Sequence, residues 1–271
     1  MPALTLHLFA LSPGADPKDF VRKIQQSGIK VVVASRPRHT VVRPTSLDAN
    51  PLTSQQWDLL ALLQTPDNAA PRLPTDLQHA VRNEYKVAAG IPSKLLASYP
   101  ERDEKLKQEA SSVPMTGSLD AARGKPSSQS LEISPELLAF MDELTGKHGY
   151  DGPVTMLNLL HFHPGGKQNY YQYGQAFVPV AGKRGGSAKL VGNVVKPAAD
   201  NADSRGNVDR SESDWWNEIS IVHYPSIRHF CDMLAGDDYQ AINERYRLSA
   251  LRDTFLLCTT EFDLENVSAK L

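Results

Sequence analysis

From Asp214 to Phe262 the chain packs a strand, two short helices and a closing strand into one uninterrupted unit, and this run constrains the fold more than any other. Asp214-Trp-Trp-Asn-Glu-Ile-Ser-Ile-Val-His-Tyr224 is dense in aromatic and β-branched residues, which suit a pleated, half-buried surface. Pro225-Ser226 then stops the strand and offers a hydroxyl to a helix start. Ile227, Phe230, Cys231 and Leu234 fall at i, i+3, i+4 and i+7, one apolar stripe of a helix that Gly236 ends. Asp237 and Asp238 sit at the positive start of a second helix carrying Tyr239, Ile242 and Tyr246 on one face, before Thr254 to Phe262 returns as a strand.

At 271 residues and 41% hydrophobic content the chain can fill two cores of ordinary domain size. A formal net charge of -2 supplies no basic field for a phosphate backbone, so no nucleic acid is expected as a partner. The stretch Met1 to Ser12 has no basic leader and no run long enough to span a bilayer, which predicts a cytoplasmic protein without membrane contact. Cys231 on a helix stripe and Cys258 inside a strand lack paired spacing and read as small buried hydrophobes, not as a disulfide.

Residues 101–133 are charged, then rich in Ser, Gly and Pro, with no sustained apolar period. They predict a flexible linker between a half at 1–100 and a half at 134–271. In the first half, Leu4 to Leu11 alternates as a strand. A helix capped by Asp16-Pro17 carries Phe20, Val21 and Ile24 and closes at Gly28. Ile29 to Ala34 and Trp57 to Gln64 are further strands, Asp76 to Ala88 reads as a helix with Leu77, Ala80, Val81, Tyr85 and Ala88 inward, and Lys94 to Ala97 as a fourth strand. The second half opens with an extra helix at Ser134-Pro135 and repeats the order. Val154 to Phe162 is its first strand, Tyr170, Tyr173, Phe177 and Ala181 stripe a helix ended by Gly185-Gly186, and Ala188 to Val195 precedes the unit described above. Each half thus reads β-α-β-β-α-β.

An antiparallel sheet with both helices on one side leaves its other side bare, and strands as apolar as Val154 to Leu160 cannot expose that side to water. At roughly 25 cal/mol per Å2, several hundred Å2 of bare apolar sheet is worth on the order of 10 kcal/mol of docking drive before entropy is subtracted. Two such halves in one chain can cover each other sheet to sheet, which places the expected cavity between or beside the two sheets.

His223-Tyr-Pro-Ser-Ile through Ala235-Gly-Asp-Asp-Tyr239, Tyr171-Gln-Tyr-Gly with Gly185-Gly186, and Asn158-Leu-Leu-His-Phe162 resemble the domain of unknown function 1330 family over about residues 150 to 263. The resemblance implies the dimeric α+β barrel superfamily: an α+β chain of two ferredoxin-like halves joined as an intramolecular barrel, with a homodimer left open. The whole chain resembles fungal two-domain proteins. Where many relatives carry an acidic residue before the aromatic-Pro-Ser motif, this chain has His223, and the family supplies no established catalytic residues to carry over.

Chemistry-bearing residues follow from strand alternation. Thr155, Leu157, Leu159, His161 and His163 share one face of their strand, with Asn158 on the other. His161 and His163 form a His-x-His pair that lacks a third ligand, so no metal is assigned. His223, on the face of Ile219 and Ile221, is a natural proton carrier at neutral pH if that face lines a cavity. Glu218 is a mid-strand carboxylate whose pKa burial would raise, beside Trp216, a candidate cavity wall. Asn158 is a polar group in an apolar strand and needs partners if buried. Tyr173 lies on a helix stripe, and Arg247 next to Tyr246 can clamp an anionic ligand.

No Gly-x-Gly-x-x-Gly, Walker, Gly-x-Ser-x-Gly, His-Glu-x-x-His or Cys-x-x-Cys motif is present, so nucleotide, serine-hydrolase and zinc-peptidase chemistries lose support. The expectation is a small-molecule enzyme without a cofactor, performing acid-base isomerisation, cyclisation or oxygenation on an apolar or aromatic substrate. Its catalytic candidates are His223, His161 and Glu218, and its substrate-binding candidates Asn158, Trp216, Tyr173 and Arg247. The competing readings are a non-catalytic ligand-binding or structural barrel, and haem binding by His161 or His223.

Overall fold

The computed structural model describes residues 3–65, 71–122, 131–197, 203–206 and 210–264. Eight strands carry the architecture: β1 Ala3–Leu11, β2 Lys30–Val42, β3 Leu59–Gln64, β4 Val81–Gly90, β5 Val154–Phe162, β6 Ser187–Val194, β7 Glu218–Tyr224 and β8 Leu251–Glu261. All pair antiparallel, in the order β1-β3-β2-β8-β5-β7-β6-β4, and β4 pairs back onto β1 to close a barrel. Within each half the sheet order is fourth, first, third, second strand. Each junction joins the second strand of one half to the fourth of the other. The β2–β8 seam is long, running from Ser35↔Glu261 to Val42↔Leu256. The β4–β6 seam pairs only Ala89↔Val194 and Gly90↔Asn193.

Among the described residues ten helices surround the strands: α1 Pro17–Gln26, α2 Asn50–Thr53, α3 Thr75–His79, α4 Ser93–Glu109, α5 Ser118–Ala122, α6 Pro135–Asp142, α7 Gly166–Gly182, α8 Ile227–Ala235, α9 Asp237–Ile242 and α10 Leu248–Ala250. Helix α1 starts where the Asp16 carboxylate accepts from the Lys18 and Asp19 amides, and Pro17 at its first position lacks the amide that would go unpaired there.

The barrel interior is a packed core. Leu4, Leu6 and Leu8 of β1 meet Leu60, Leu62, Leu157, Leu159, Ile219, Ile221, Phe255 and Leu257, all buried. The bare sheet faces do cover one another and aliphatic side chains pack the middle of the barrel, while open space remains at the end marked by Thr155 and His223. An eight-stranded barrel is just wide enough for its own side chains to fill, and these large aliphatic residues fill its middle. Two outer layers sit under the helices, one around Phe9, Phe20 and Ile24 and one around Met156, Phe177, Tyr224 and Phe230.

Three sequence expectations are corrected here. Residues 81–88, read as a helix, are strand β4, because Tyr85, Val87 and Ala89 alternate into the barrel core and this period of two prevails over the helical stripe. Lys94 to Ala97, read as a strand, lies in the 17-residue helix α4. That helix runs through Glu109 into the expected linker, of which residues 123–130 lie outside the described residues.

The linker's first part is fastened by polar contacts that hydrophobic periodicity does not report. Arg102 donates to the Ala188 carbonyl at 3.0 Å. Asp103 and Glu261 together bind Lys107 and the fully buried Lys189. Further on, Asp232 of α8 accepts from the backbone amides of Thr116 at 3.1 Å and Leu119 at 2.9 Å. Cys231 and Cys258 are buried free thiols. Among the described residues, no helix is long and apolar enough to cross a membrane.

Candidate functional site

The cavity that gathers most of the sequence candidates lies on the other side of the sheet. In β7, alternation sends Ile219, Ile221 and His223 into the barrel, and Glu218, Ser220, Val222 and Tyr224 toward the helices. Across the ladder Asn158 pairs directly with Ser220, and Leu160 with Glu218, so three polar groups sit side by side on one outward patch. Above them lies α7, whose Tyr173 and Phe177 are buried against the sheet with Tyr170 half-buried beside them, while the exposed Gly174 stands at the cavity's edge. Gly174 carries no side chain, and a Cβ placed there would touch nothing within 4 Å.

Between sheet and helix a cavity of about 550 Å3 stays open, with Asn158, Ser220 and Glu218 on its floor, Met156, Phe177, Phe230 and Met233 among its walls, and Arg247 reaching in from the far side. Its rim includes Tyr171 and Val178, large side chains that are 63% and 68% exposed. In the first half the matching layer is filled: Phe9 and Phe20 meet edge to face at 5.3 Å, with Ile24, Leu59 and Leu63 around them.

The cavity's electrostatics follow from burial. The Glu218 carboxyl is pushed up to about 7 by its apolar surroundings, with Lys167 as the opposing charge. It is therefore half ionised near neutral pH. Burial also raises the hydroxyls of Tyr170, Tyr173, Tyr224 and Tyr239, which stay protonated and able to donate. Tyr173 and Tyr239 lie 3.4 Å apart through their oxygens. The Asn158 amide has one long contact, 3.4 Å to the Met156 carbonyl, and is otherwise available to a ligand. Arg247 ends a π-helical turn, Asn243–Arg247, between α9 and α10. Such turns are rare and recur at functional sites because the extra residue re-aims one side chain.

Of the sequence candidates, Asn158, Glu218, Tyr173 and Arg247 line this one cavity. The other three do not. Trp216 is packed in the barrel core, its indole N–H donating to the Tyr85 hydroxyl at 2.8 Å. His161 follows the inward alternation of Leu157 and Leu159, with Nδ1 2.8 Å from the Trp215 carbonyl. His223 faces inward at the opposite end, across from Thr155. Thr155 and His161 are separated by six strand positions, about 20 Å. The two histidines therefore cannot share a substrate, and no histidine lines the helix–sheet cavity.

His163, exposed, and the buried His161 belong to no metal cluster, for among the described residues no three His, Cys, Asp or Glu converge. Ser220 and Gly174 are site residues that were not singled out from sequence. Ser220 was signalled by its parity with Glu218, and Gly174 by standing within an aromatic helix stripe.

No family profile matches the chain, and no curated protein matches it. Among solved structures, a protein of unknown function from Rhodopseudomonas palustris aligns with 50% of this chain and 99% of its own, at 22% identity and TM-score 0.37. A proposed monooxygenase from Lactobacillus acidophilus covers 96% of this chain and 93% of its own at 7% identity and TM-score 0.45. Chlorite dismutase from Candidatus Nitrospira defluvii, in complex with imidazole, covers 99% and 94% at 12% identity and TM-score 0.42. At these identities and scores the likenesses assign neither a family nor an activity, and the barrel rests on its own strand pairing. The resemblance read from the aromatic-Pro-Ser and Gly-Gly motifs stands on those motifs alone.

Proposed function

We propose that this chain is a small-molecule enzyme whose reaction space is the cavity between the outer face of β5–β7 and helix α7, with Glu218 as its proton carrier. One observation carries the reading: a carboxyl held near pKa 7 by burial faces an apolar cavity large enough for a ligand. A group half ionised at neutral pH can take a proton from one carbon or oxygen and return it to another, which suits isomerisation, cyclisation or the proton steps of an oxygenation. Asn158 and Ser220 would orient the polar end of the substrate, and Tyr173 and Tyr239 would donate to developing negative charge. In this reading His223 and His161 take no part, because both lie on the barrel side of the sheet, away from this cavity.

The repeated strand order supports treating residues 1–100 and 134–271 as two ferredoxin-like halves, the second similar to domain of unknown function 1330. Two buried free thiols agree with a reducing, cytoplasmic setting. The chain closes its own barrel, so a homodimer would form over outer helices, where Tyr171 and Val178 are exposed.

Mass spectrometry of small molecules released from natively purified protein tests the reading, with Gly174→Leu, which sets a bulky side chain at the cavity's edge, as the comparison. A compound retained by the wild type and absent from Gly174→Leu is expected, and Glu218→Gln should retain it but fail to convert it. Conversion at the wild-type rate by Glu218→Gln would leave a binding site without this chemistry. The same retained set in both wild type and Gly174→Leu would remove the cavity from consideration.

A further inference from the structure

We infer that the ligand of the helix–sheet cavity carries a single anionic group, a carboxylate or its equivalent, on an apolar body, and that Arg247 receives it. This rests on the cavity being the ligand site, as proposed above, and adds the class of molecule it selects.

The argument begins with a contrast among buried cations. Four Lys or Arg side chains are buried among the described residues: Arg184, Lys189, Arg205 and Arg247. Arg184 is matched by Asp232 and Asp238, Lys189 by Asp103 and Glu261, and Arg205 by Asp203 at 2.9 Å. Arg247 is 5% exposed, and no carboxylate among the described residues lies within ion-pair distance of it. Its hydrogen bond to the Thr254 hydroxyl is long, at 3.4 Å. A guanidinium removed from water is costly unless an anion and hydrogen-bond acceptors replace the solvent.

The cavity itself offers no substitute. Among the described residues Glu218 is the one carboxylate lining it, and the charge that acts on Glu218 is Lys167 rather than Arg247. The tyrosines around Arg247 are phenols held protonated by burial, so they are donors and not counterions. A positive fork and several hydroxyl donors thus converge on one apolar space that lacks an acceptor of matching charge. Arg102 and Lys167 also line the cavity, but Arg102 donates to the Ala188 and Lys189 carbonyls and the exposed Lys167 to the Asn193 side chain, so the buried guanidinium without a carboxylate suits a monoanion whose two oxygens can accept in parallel.

Two fluorescent probes separate charge from shape: 8-anilinonaphthalene-1-sulfonate and N-phenyl-1-naphthylamine share an aromatic body and differ by the sulfonate. Both should bind the wild type, and Gly174→Leu should abolish both. Arg247→Gln should weaken the sulfonate probe by about tenfold or more, the loss expected for one charged hydrogen-bonded contact, and leave the neutral probe unchanged. Arg247→Lys should recover part of the difference. If Arg247→Gln weakens both probes equally, or neither, the anionic class is overturned while the Gly174→Leu result keeps the cavity. If Gly174→Leu changes nothing, or neither probe binds the wild type, the cavity reading fails and the anion site with it. A measurement that needs no Arg247 variant uses the wild type alone: benzoate should raise its melting temperature more than benzamide does, and equal shifts would overturn the proposal.

Discussion

Asn158 and Ser220 are direct partners across the β5–β7 ladder, and both open into the helix–sheet cavity. His223 lies three residues beyond Ser220, an odd step, and so turns into the barrel instead. One unit of strand parity therefore separates the groups that line the helix–sheet cavity from those on the barrel side of the sheet. Glu218 shares Ser220's parity, and the chemistry of the site hangs on that.

Glu218 should leave a pH signature on stability. Its ordinary value is 4.5 and its folded value is about 7. Below pH 4.5 the folded and unfolded chains both hold the proton. Between 4.5 and 7 the folded chain keeps a proton that the unfolded chain has released, so stability falls as pH rises through this window and stays lowered above it. Glu218→Gln removes the penalty. Urea unfolding should find it near wild type at pH 4 and more stable by ~1–2 kcal/mol at pH 8, after allowance for solvent screening. An equal difference at both pH values would refute the shift.

His223 should behave in the opposite sense. Burial, helped by the positive charges of Lys189 and Lys107 and opposed by Glu261, lowers it from 6.5 to about 4, and both ring nitrogens are buried without a partner. The unfolded chain binds a proton near 6.5 that the folded chain refuses until about 4. Stability is therefore full above 6.5 and is lost as pH falls toward 4. His223→Leu should be close to neutral at pH 8 and gain on the wild type as pH falls to 5. A ring titrating near its ordinary value by NMR in the folded protein would contradict this.

The second half was largely legible because its strands and helices carry unmixed periods: Val154 to Phe162 and the stripe Tyr170, Tyr173, Phe177 lie in β5 and α7 as read. The first half misled where two periods coexist, for Tyr85 satisfies both the helical stripe that starts at Leu77 and the strand alternation with Val87 and Ala89. Linker residues such as Asp103 were invisible because charge pairing holds them, and charge carries no period. Both faces of β5 and β7 are apolar, so composition could not tell which face was filled and which left a cavity. That choice depends on Leu4, Leu6 and Leu8 from the other half filling the middle of the barrel.

Lys189 fastens helix α4 to the barrel. Its fully buried ammonium meets Asp103 and, at 2.5 Å, Glu261, while Lys107 bridges the same two carboxylates. Burial opposes ionisation of Glu261, yet the two lysines outweigh it and pull it down to about 2. Lys189→Met would leave buried carboxylates short of a counterion, and a loss of ~3–5 kcal/mol is expected. Glu261→Gln added to that variant should recover part of the loss, because the stranded charge goes with it. Chemical denaturation of the two variants checks the order, and a double variant weaker than Lys189→Met would break the account.

Asp203 should govern the weaker of the two seams. Strand β4 bonds β6 at only two positions, so residues 203–206 complete the join: the Ser204 amide donates to the Lys86 carbonyl at 2.9 Å, the Ser204 hydroxyl accepts from the Lys86 amide at 2.7 Å, and the Asp203 carboxylate accepts from the Ala88 amide at 3.3 Å. Arg205 donates to both Asp203 oxygens, at 2.9 and 3.0 Å, and holds the carboxylate in place. Asp203→Ala removes the acceptor and strands the buried guanidinium, a loss of about 1–3 kcal/mol. The effect should be local. Amide exchange should quicken from Lys86 to Gly90 and stay unchanged across β2 and β8, where the seam is long. Equal acceleration at both seams would mean that the barrel opens as one unit and that Asp203 has no special hold on this edge.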